Sequence, residues 1–261
     1  MHLQVLSSGS RGNATLLRAA HTTLIVDAGL TLRELDERFE AARFSPNSID
    51  HVLVTHGHLD HARSAGALAK RERALLHSAA ALQSNASIRR CKNLNTLTVG
   101  AAQRLPGRRG DDGVSASSVL LPHDALPTLA FKIEHDGRCA VILTDMGMPR
   151  SDVARALRGA HVLVLEFNHD PQMLQNGPYT PALKRRILGN AGHLSNAQAA
   201  TMLEELAGEE LHTLVLAHLS EKNNTRELAL EFARAALSRR GMDHVRVLIA
   251  EQDAVGENIQ V

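Results

Sequence analysis

Residues 51–61 read His51-Val52-Leu53-Val54-Thr55-His56-Gly57-His58-Leu59-Asp60-His61, and this stretch decides the fold. His51 to Thr55 is a continuous apolar, β-branched run, the pattern of a strand buried on both faces. Four potential metal ligands, His56, His58, Asp60 and His61, follow within six residues. On a regular helix their side chains would splay around the axis. In a loop leaving a strand they can converge, His56 and His58 on one cation, Asp60 and His61 on a second close by. A carboxylate among neutral imidazoles suits Zn²⁺ first, with Mn²⁺ or Fe as alternatives. A lone His-x-His is more often a solvated loop, but HxHxDH directly behind an apolar strand carries far more information.

Upstream, Leu3 to Leu6 is a short strand stopped by the turn cluster Ser7-Ser8-Gly9-Ser10-Arg11-Gly12-Asn13. Thr15 to Leu17 and Thr23 to Val26 continue a meander that ends in Asp27-Ala28-Gly29. Leu32 to Phe44 has helical spacing, closed by Pro46. Downstream, Ala62 to Arg73 reads as a helix. Short strands are expected at Leu75-Leu76, Leu94 to Val99, Val114 to Leu121, Leu129 to Glu134 and Cys139 to Leu143. Pro106 to Gly113 is a polar, Gly-rich loop. The second half alternates strands (His161 to Glu166, Thr213 to Leu216, Val245 to Ile249) with helices (Ser151 to Leu157, Pro181 to Leu188, Asn196 to Leu206, Thr225 to Arg239). Meander first and alternation later predict a layered α/β sandwich, with 1–261 as one domain.

The bulk composition agrees with a globular chain: 261 residues, 44 % hydrophobic, 29 Lys plus Arg against 28 Asp plus Glu. So even a charge gives no global argument for nucleic-acid or membrane binding. The 15 histidines are the informative excess. Cys91 and Cys139 lack CxxC spacing, and no signal peptide or membrane span is legible, so a reduced, cytoplasmic chain without membrane attachment is expected.

The HxHxDH segment resembles the signature loop of the metallo-β-lactamase superfamily. That resemblance implies a four-layer αββα sandwich with two divalent metal ions at one edge and further ligands from later loops. His123, in Leu121-Pro122-His123-Asp124-Ala125, matches one. Asp145, in Thr144-Asp145-Met146-Gly147, resembles the bridging aspartate, and His218, in His218-Leu219-Ser220, closes the set. A β-lactamase would usually carry Cys near the Asp145 position, and Cys139 lies mid-strand. A bridging carboxylate is instead typical of thioesterases and phosphodiesterases of this fold.

Glu166, in Leu165-Glu166-Phe167-Asn168-His169-Asp170, and His193, in Gly192-His193-Leu194-Ser195-Asn196, resemble the extra motifs of nucleases such as ribonuclease Z. The whole chain resembles the YycJ/WalJ (VicX) group. The matching pieces are SSGSRGN at 7–13, DAGL at 27–30, THGHLDH at 55–61, PHDA at 122–125, TDMG at 144–147, LEFNHD at 165–170, GPYTPALKRRI at 177–187, GHLSN at 192–196 and HLSEKNN at 218–224. Gly57 departs from the group, where many members carry Glu, and altered loop packing is expected there. The resemblance implies a dinuclear nuclease or phosphodiesterase, with 5′-to-3′ DNA exonuclease action associated with members. In the expected mechanism a hydroxide bridging the metals attacks phosphorus, Asp60 orients it and accepts its proton, and His193, held by Glu166, donates to the phosphoryl or leaving oxygen. Ser195 and Asn196 at a helix N-terminus, with Asn13 and Arg11, are candidate phosphate contacts. Ser195 is equally a helix cap.

Nucleic acid, DNA ahead of RNA, is the expected partner. Arg89-Arg90, Arg108-Arg109 and Lys184-Arg185-Arg186 are local basic runs. Five Phe, one Tyr and no Trp make a base-stacking surface hard to build, so backbone-directed binding is expected. Two other readings stand beside this one. A glyoxalase II-like thioester or lactone hydrolase would use the same ligands without needing Glu166 and His193. A metal-stabilised scaffold would be catalytically inert.

Overall fold

The computed structural model describes residues 1–19, 21–45, 48–107 and 113–261. Pro46 and the Arg108-Arg109 pair lie outside the described residues. Two seven-stranded sheets face each other. The first orders its strands as β14 (Ile259–Gln260), β1 (His2–Ser7), β2 (Ala14–Ala19), β3 (Thr22–Val26), β4 (His51–Leu53), β5 (Leu75–Ser78) and β6 (Leu94–Thr96). The second runs β13 (Arg246–Ile249), β12 (Thr213–Ala217), β11 (Val162–Glu166), β10 (Arg138–Leu143), β9 (Thr128–His135), β8 (Val114–Leu121) and β7 (Ala102–Leu105). Each sheet is mixed: hairpin-linked strands pair antiparallel, whereas β3 to β6 and β10 to β13 pair in parallel. Leu163, Val164 and Leu165 of β11 are all buried, as a parallel strand covered on both faces requires.

Helices α1 (Leu32–Ala41) and α3 (Ala65–Glu72) contact the first sheet. Helices α4 (Ser151–Leu157), α7 (Asn196–Leu206) and α8 (Arg226–Arg239) pack on the second. This is the αββα sandwich expected from the HxHxDH loop. One apolar cluster fills the space between the sheets, uniting Leu17, Ile25 and Leu53 with Phe131, Ile133 and Val215. A second, around Phe167, Leu203 and Ala233, lies between the second sheet and its helices. No helix among the described residues is long and apolar enough to cross a membrane.

Local differences from the sequence reading have identifiable causes. Helix α1 stops at Ala41 because Arg43 turns left-handed (φ 51°), while Phe44 folds back onto Phe39 with ring centroids 5.5 Å apart. The helix read over 62–73 begins as a separate turn, α2 (Leu59–Ala62), so Asp60 and His61 sit on helical backbone rather than in an open loop. Thr31 caps α1 through a capping box with Glu34, a local signal the periodicity overlooked. Strands β7 and β14 and helix α5 (Pro171–Asn176) are too short and too polar to stand out as periodic runs.

Between β4, β5 and β6 a polar wire crosses the core. Asn95 Nδ2 donates to His77 Nδ1, the His77 Nε2–H donates to His51 Nδ1, and His51 Nε2–H donates to the Pro106 carbonyl, at 3.0, 3.0 and 2.9 Å. Only neutral rings satisfy all three bonds. Burial, then the neighbouring His51, lower His77 from 6.5 to about 3. As pH falls through 6.5 the unfolded chain takes up a proton that the folded chain refuses, so stability drops. Between pH 6.5 and 5 this costs about 2 kcal/mol. Urea unfolding at the two pH values is expected to show that extra loss in the native protein and its disappearance in His77→Gln.

Candidate metal centre

Strands β1, β3, β4, β8, β10, β11 and β12 all deliver their C-terminal ends to one rim of the sandwich. Each of the seven proposed ligands follows one of them. Three residues at these ends adopt left-handed backbone: Asp27 (φ 63°), Asp145 (φ 61°) and His218 (φ 55°). Such residues cost on the order of 1–3 kcal/mol each and cluster where geometry serves a site.

One nitrogen each from His56, His58 and His123 lies within 4.8 Å of the others. His123 Nδ1 donates to the Gly192 carbonyl at 2.8 Å, leaving its buried Nε2 without a hydrogen-bond partner. Thr55 Oγ1 donates to Asp27 at 2.8 Å and accepts from His56 Nδ1 at 3.0 Å, which leaves the His56 Nε2 lone pair facing His58. A second group joins Asp60, His61 and His218, and a third links His56, His61 and Asp145. Asp145 touches both sides: its carboxylate lies 3.1 Å from His61, 3.7 Å from His218 and 3.9 Å from His123. Asp145 Oδ2 and His218 Nε2 are likewise buried without an aligned hydrogen bond. Three orphaned lone-pair atoms aimed into one space are what a cation site presents, since a buried polar atom without a partner is otherwise costly.

The electrostatics point the same way. Burial alone would raise the carboxyl groups of Asp60 and Asp145, but His218 and His61 outweigh it, holding Asp60 at about 2 and Asp145 well below its ordinary value. Burial opposes charge on His218, yet Asp145, Asp60 and Glu166 raise it to about 10. The pocket therefore demands positive charge, which protons on His61 and His218 or divalent cations can supply.

Glu166 is fully buried at the end of β11. Its Oε2 accepts from the backbone N–H of Met146 at 3.0 Å and of Leu194 at 3.3 Å, and its Oε1 accepts from His193 Nδ1–H at 2.7 Å. His193 also lines the cavity beside Asp60, Asp145 and His218. Burial resists ionising Glu166, but His193 and His218 lower it to about 2.

Other expected contacts are engaged elsewhere. Ser195 Oγ accepts from Gln198 N–H while Gln198 returns a bond to Ser195 N–H, a closed capping box. Asn196 is buried, its amide exchanging hydrogen bonds with Asn224 and its N–H donating to His169 O at 2.8 Å. These N–H groups are spent on the fold, so the helix N-terminus is not the open anion seat its sequence suggested. Arg11 pairs with Glu221 at 2.7 Å and Asp253 at 2.5 Å. Asn13 satisfies its own turn through Gly9 and supports the metal loop by bonding Asp60 O and His61 Nε2. Lys184 donates to the Gln175 carbonyl and Arg186 pairs with Asp124.

Two residues escaped the sequence reading. Asp27 accepts from His61 Nδ1–H at 2.6 Å and from Thr55 N–H and Oγ1–H at 2.8 Å each, orienting the ring whose Nε2 faces Asp145. Its signal was the carboxylate of DAGL closing a strand. Asp124 lies 3.3 Å from His123 Nε2 and 3.6 Å from His58 Nε2, and its signal was adjacency to His123. The turns at 7–13 and 27–30 are both stitched to the ligand-bearing loop, by Asn13 N–H to Asp60 O and by Ala28 N–H to His61 O, and to each other by Gly29 N–H to Asn13 O. A Cβ on Gly29 would fall 1.7 Å from Asp60 O. Gly29→Ala is therefore expected to cost about 1–3 kcal/mol, read as a Tm fall of roughly 2–12 °C, with lowered metal content. At Gly57 a Cβ would meet the end of the Asn85 side chain at 2.9 Å and Leu82 at an ordinary 3.5 Å, and the Asn85 amide donates to Gly57 O. Glycine at this place leaves room for the Asn85 amide to close over the loop.

The centre opens into a cavity of about 490 Å³ lined by His58, Asp60, Asp124, Asp145, His193 and His218 together with apolar neighbours. A larger groove of about 810 Å³ lies at the opposite strand ends, around Arg104, Lys132 and His161, and none of the ligand clusters among the described residues falls there.

A family model described as the beta-lactamase superfamily domain matches residues 22–219. The exodeoxyribonuclease YycJ of Bacillus anthracis is 32 % identical over 92 % of this chain and 90 % of its own. The exodeoxyribonuclease WalJ of Streptococcus pneumoniae is 31 % identical over 86 % and 84 %. The metallo-beta-lactamase fold protein YhfI of Bacillus subtilis superposes with a TM-score of 0.70 at 16 % identity, covering 98 % and 99 % of the two chains.

Proposed function

Because this chain belongs to the beta-lactamase superfamily and, within it, to the YycJ/WalJ group, we propose that it is a dinuclear metal-dependent nuclease that removes nucleotides from DNA ends. The observation that carries the reading is the Glu166–His193 pair, 2.7 Å apart, in which buried Glu166 holds a histidine that lines the same cavity as residues of the candidate ligand clusters. A hydrolase of thioesters needs no such second acid, whereas a departing alkoxide of a phosphodiester does.

His56, His58 and His123 would hold one cation, and Asp60, His61 and His218 the other, with Asp145 between them. Two such cations, Zn²⁺ first by the mix of imidazole and carboxylate, would neutralise phosphate oxygens and lower the pKa of an attacking water toward neutrality. The rest falls to this chain's own groups. Asp60 lines the cavity and accepts the proton of the water. Asp27 fixes the His61 ring through Nδ1. His193, its Nδ1–H committed to Glu166, presents Nε2 to the phosphoryl or leaving oxygen and passes a proton there. Burial of Glu166 beneath Met146 and Leu194 keeps the pair from swinging away.

The direct test is a Zn- or Mn-loaded sample on labelled single- and double-stranded DNA and RNA with 5′-phosphate or 5′-hydroxyl ends. Stepwise release of mononucleotides from DNA is expected. Inertness toward every nucleic acid alongside hydrolysis of a thioester would replace this reading with the glyoxalase II-like one.

A further inference from the structure

The cavity over the metal centre is not uniformly polar. Leu59, Tyr179, Leu183, Ile187 and Leu219 line it beside the carboxylates and imidazoles. Leu59 lies between the ligands His58 and Asp60, yet is 63 % exposed. A large aliphatic side chain held to water in the middle of a charged loop gains most when a flat apolar ligand face covers it. The cations near the mouth offer little in compensation: Arg186 is paired with Asp124, and Arg11 with Glu221 and Asp253. Beyond what the proposed metal ions would give the phosphate, binding energy for the rest of the nucleotide must then come from another source.

Tyr179 is the chain's sole tyrosine, and its setting is rigid. Pro178 and Pro181 flank the segment, Thr180 caps α6 (Pro181–Leu188) by accepting from Leu183 N–H, and a Cβ at Gly177 would fall 2.3 Å from the buried Asn223 Oδ1. Fixed φ angles at the prolines and close packing at Gly177 constrain the backbone that brings the half-buried Tyr179 to the cavity wall, so that segment has little ordering entropy left to lose. The volume, about 490 Å³, falls in the range of a single small ligand and takes one nucleotide unit rather than a duplex.

We propose that Tyr179, with Leu59 and Leu183, is the platform on which the terminal nucleobase of an unpaired DNA strand stacks while its phosphodiester is cleaved. This rests on the nuclease reading above and names how that site selects its substrate: an unpaired end, of any sequence, since every base has a π-face. It also revises the expectation that aromatic scarcity leaves only backbone-directed binding, because one well-placed ring serves a one-nucleotide pocket.

The experiment pairs an enzyme change with a substrate change. On single strands, replacing the terminal nucleotide by an abasic unit is expected to lower kcat/KM of the metal-loaded native enzyme by about 5- to 150-fold, mainly through KM. Tyr179→Ala should lose the same factor on the normal strand and nothing further on the abasic one, whereas Tyr179→Phe should behave as the native enzyme. With no Trp in the chain, the Tyr179 emission is a direct second readout. It should be quenched by a phosphorothioate-protected strand bearing a terminal base and unchanged by its abasic counterpart. Cleavage in which base removal and Tyr179→Ala each change kcat/KM less than twofold overturns this inference and leaves the nuclease reading standing. No cleavage of any strand overturns both.

Discussion

His193→Ala is expected to lower kcat for phosphodiester cleavage by about 10²- to 10⁴-fold while the protein keeps its fold and its bound metal. The ring is 18 % exposed; it hydrogen-bonds Glu166 at 2.7 Å, stacks on His218 at 5.2 Å and meets His123 at 5.1 Å, so the Tm of the variant is read beside its metal content. Steady-state rates on bis-p-nitrophenyl phosphate, alongside metal analysis, check this. A leaving group as acidic as p-nitrophenol needs less protonation than a nucleoside alkoxide, so the loss should be larger on DNA than on the nitrophenyl ester. Glu166→Gln should reproduce part of the effect, because the His193 ring would lose the carboxylate that sets its tautomer. Equal retention of activity on both substrates would remove the proton-donor role. Loss of metal in step with activity would make His193 a ligand, which its place in a four-residue cluster with Asp145, Glu166 and His218 permits geometrically.

Asp145→Asn should act on the metals themselves. Its carboxylate is buried, reaches toward His61, His123 and His218, and carries an oxygen without an aligned hydrogen bond. An amide offers one oxygen and no charge, and cannot balance two cations. Removing a merely supporting group costs roughly 10- to 100-fold in metal affinity, and a shared ligand should exceed that. Competition with a chromophoric chelator reads the change. Asp27→Ala, acting only through His61, should fall within the supporting range. If Asp145→Asn bound metals as tightly as the native chain, Asp145 would not be a ligand and the two-metal arrangement would need another bridge.

The contrast between these residues shows what was legible beforehand. His56, His58, Asp60 and His61 announce themselves because strand, turn and ligands are consecutive, so local backbone brings them together. His123, Asp145 and His218 each lie just past a strand, and only their order along the chain, through the family resemblance, pointed to them. Ser195 shows the opposite failure. Its capping pattern was visible, but whether the helix end stays open depends on Gln198 and on His169 from another loop. Asp27 and Asp124 look like ordinary turn carboxylates until the fold sets them beside His61 and His123.

By itself, the chain's order of residues determined the layered α/β sandwich and the six-residue run that gathers four candidate ligands, because alternation of apolar residues and a short His/Asp cluster are properties of neighbours in sequence. Only the tertiary structure decided which imidazole edge is free, which histidine each buried carboxylate holds, which basic side chains are already neutralised, and that one tyrosine lines the cavity. Those outcomes depend on distances between residues up to 242 positions apart, as between Arg11 and Asp253, and no local pattern encodes them.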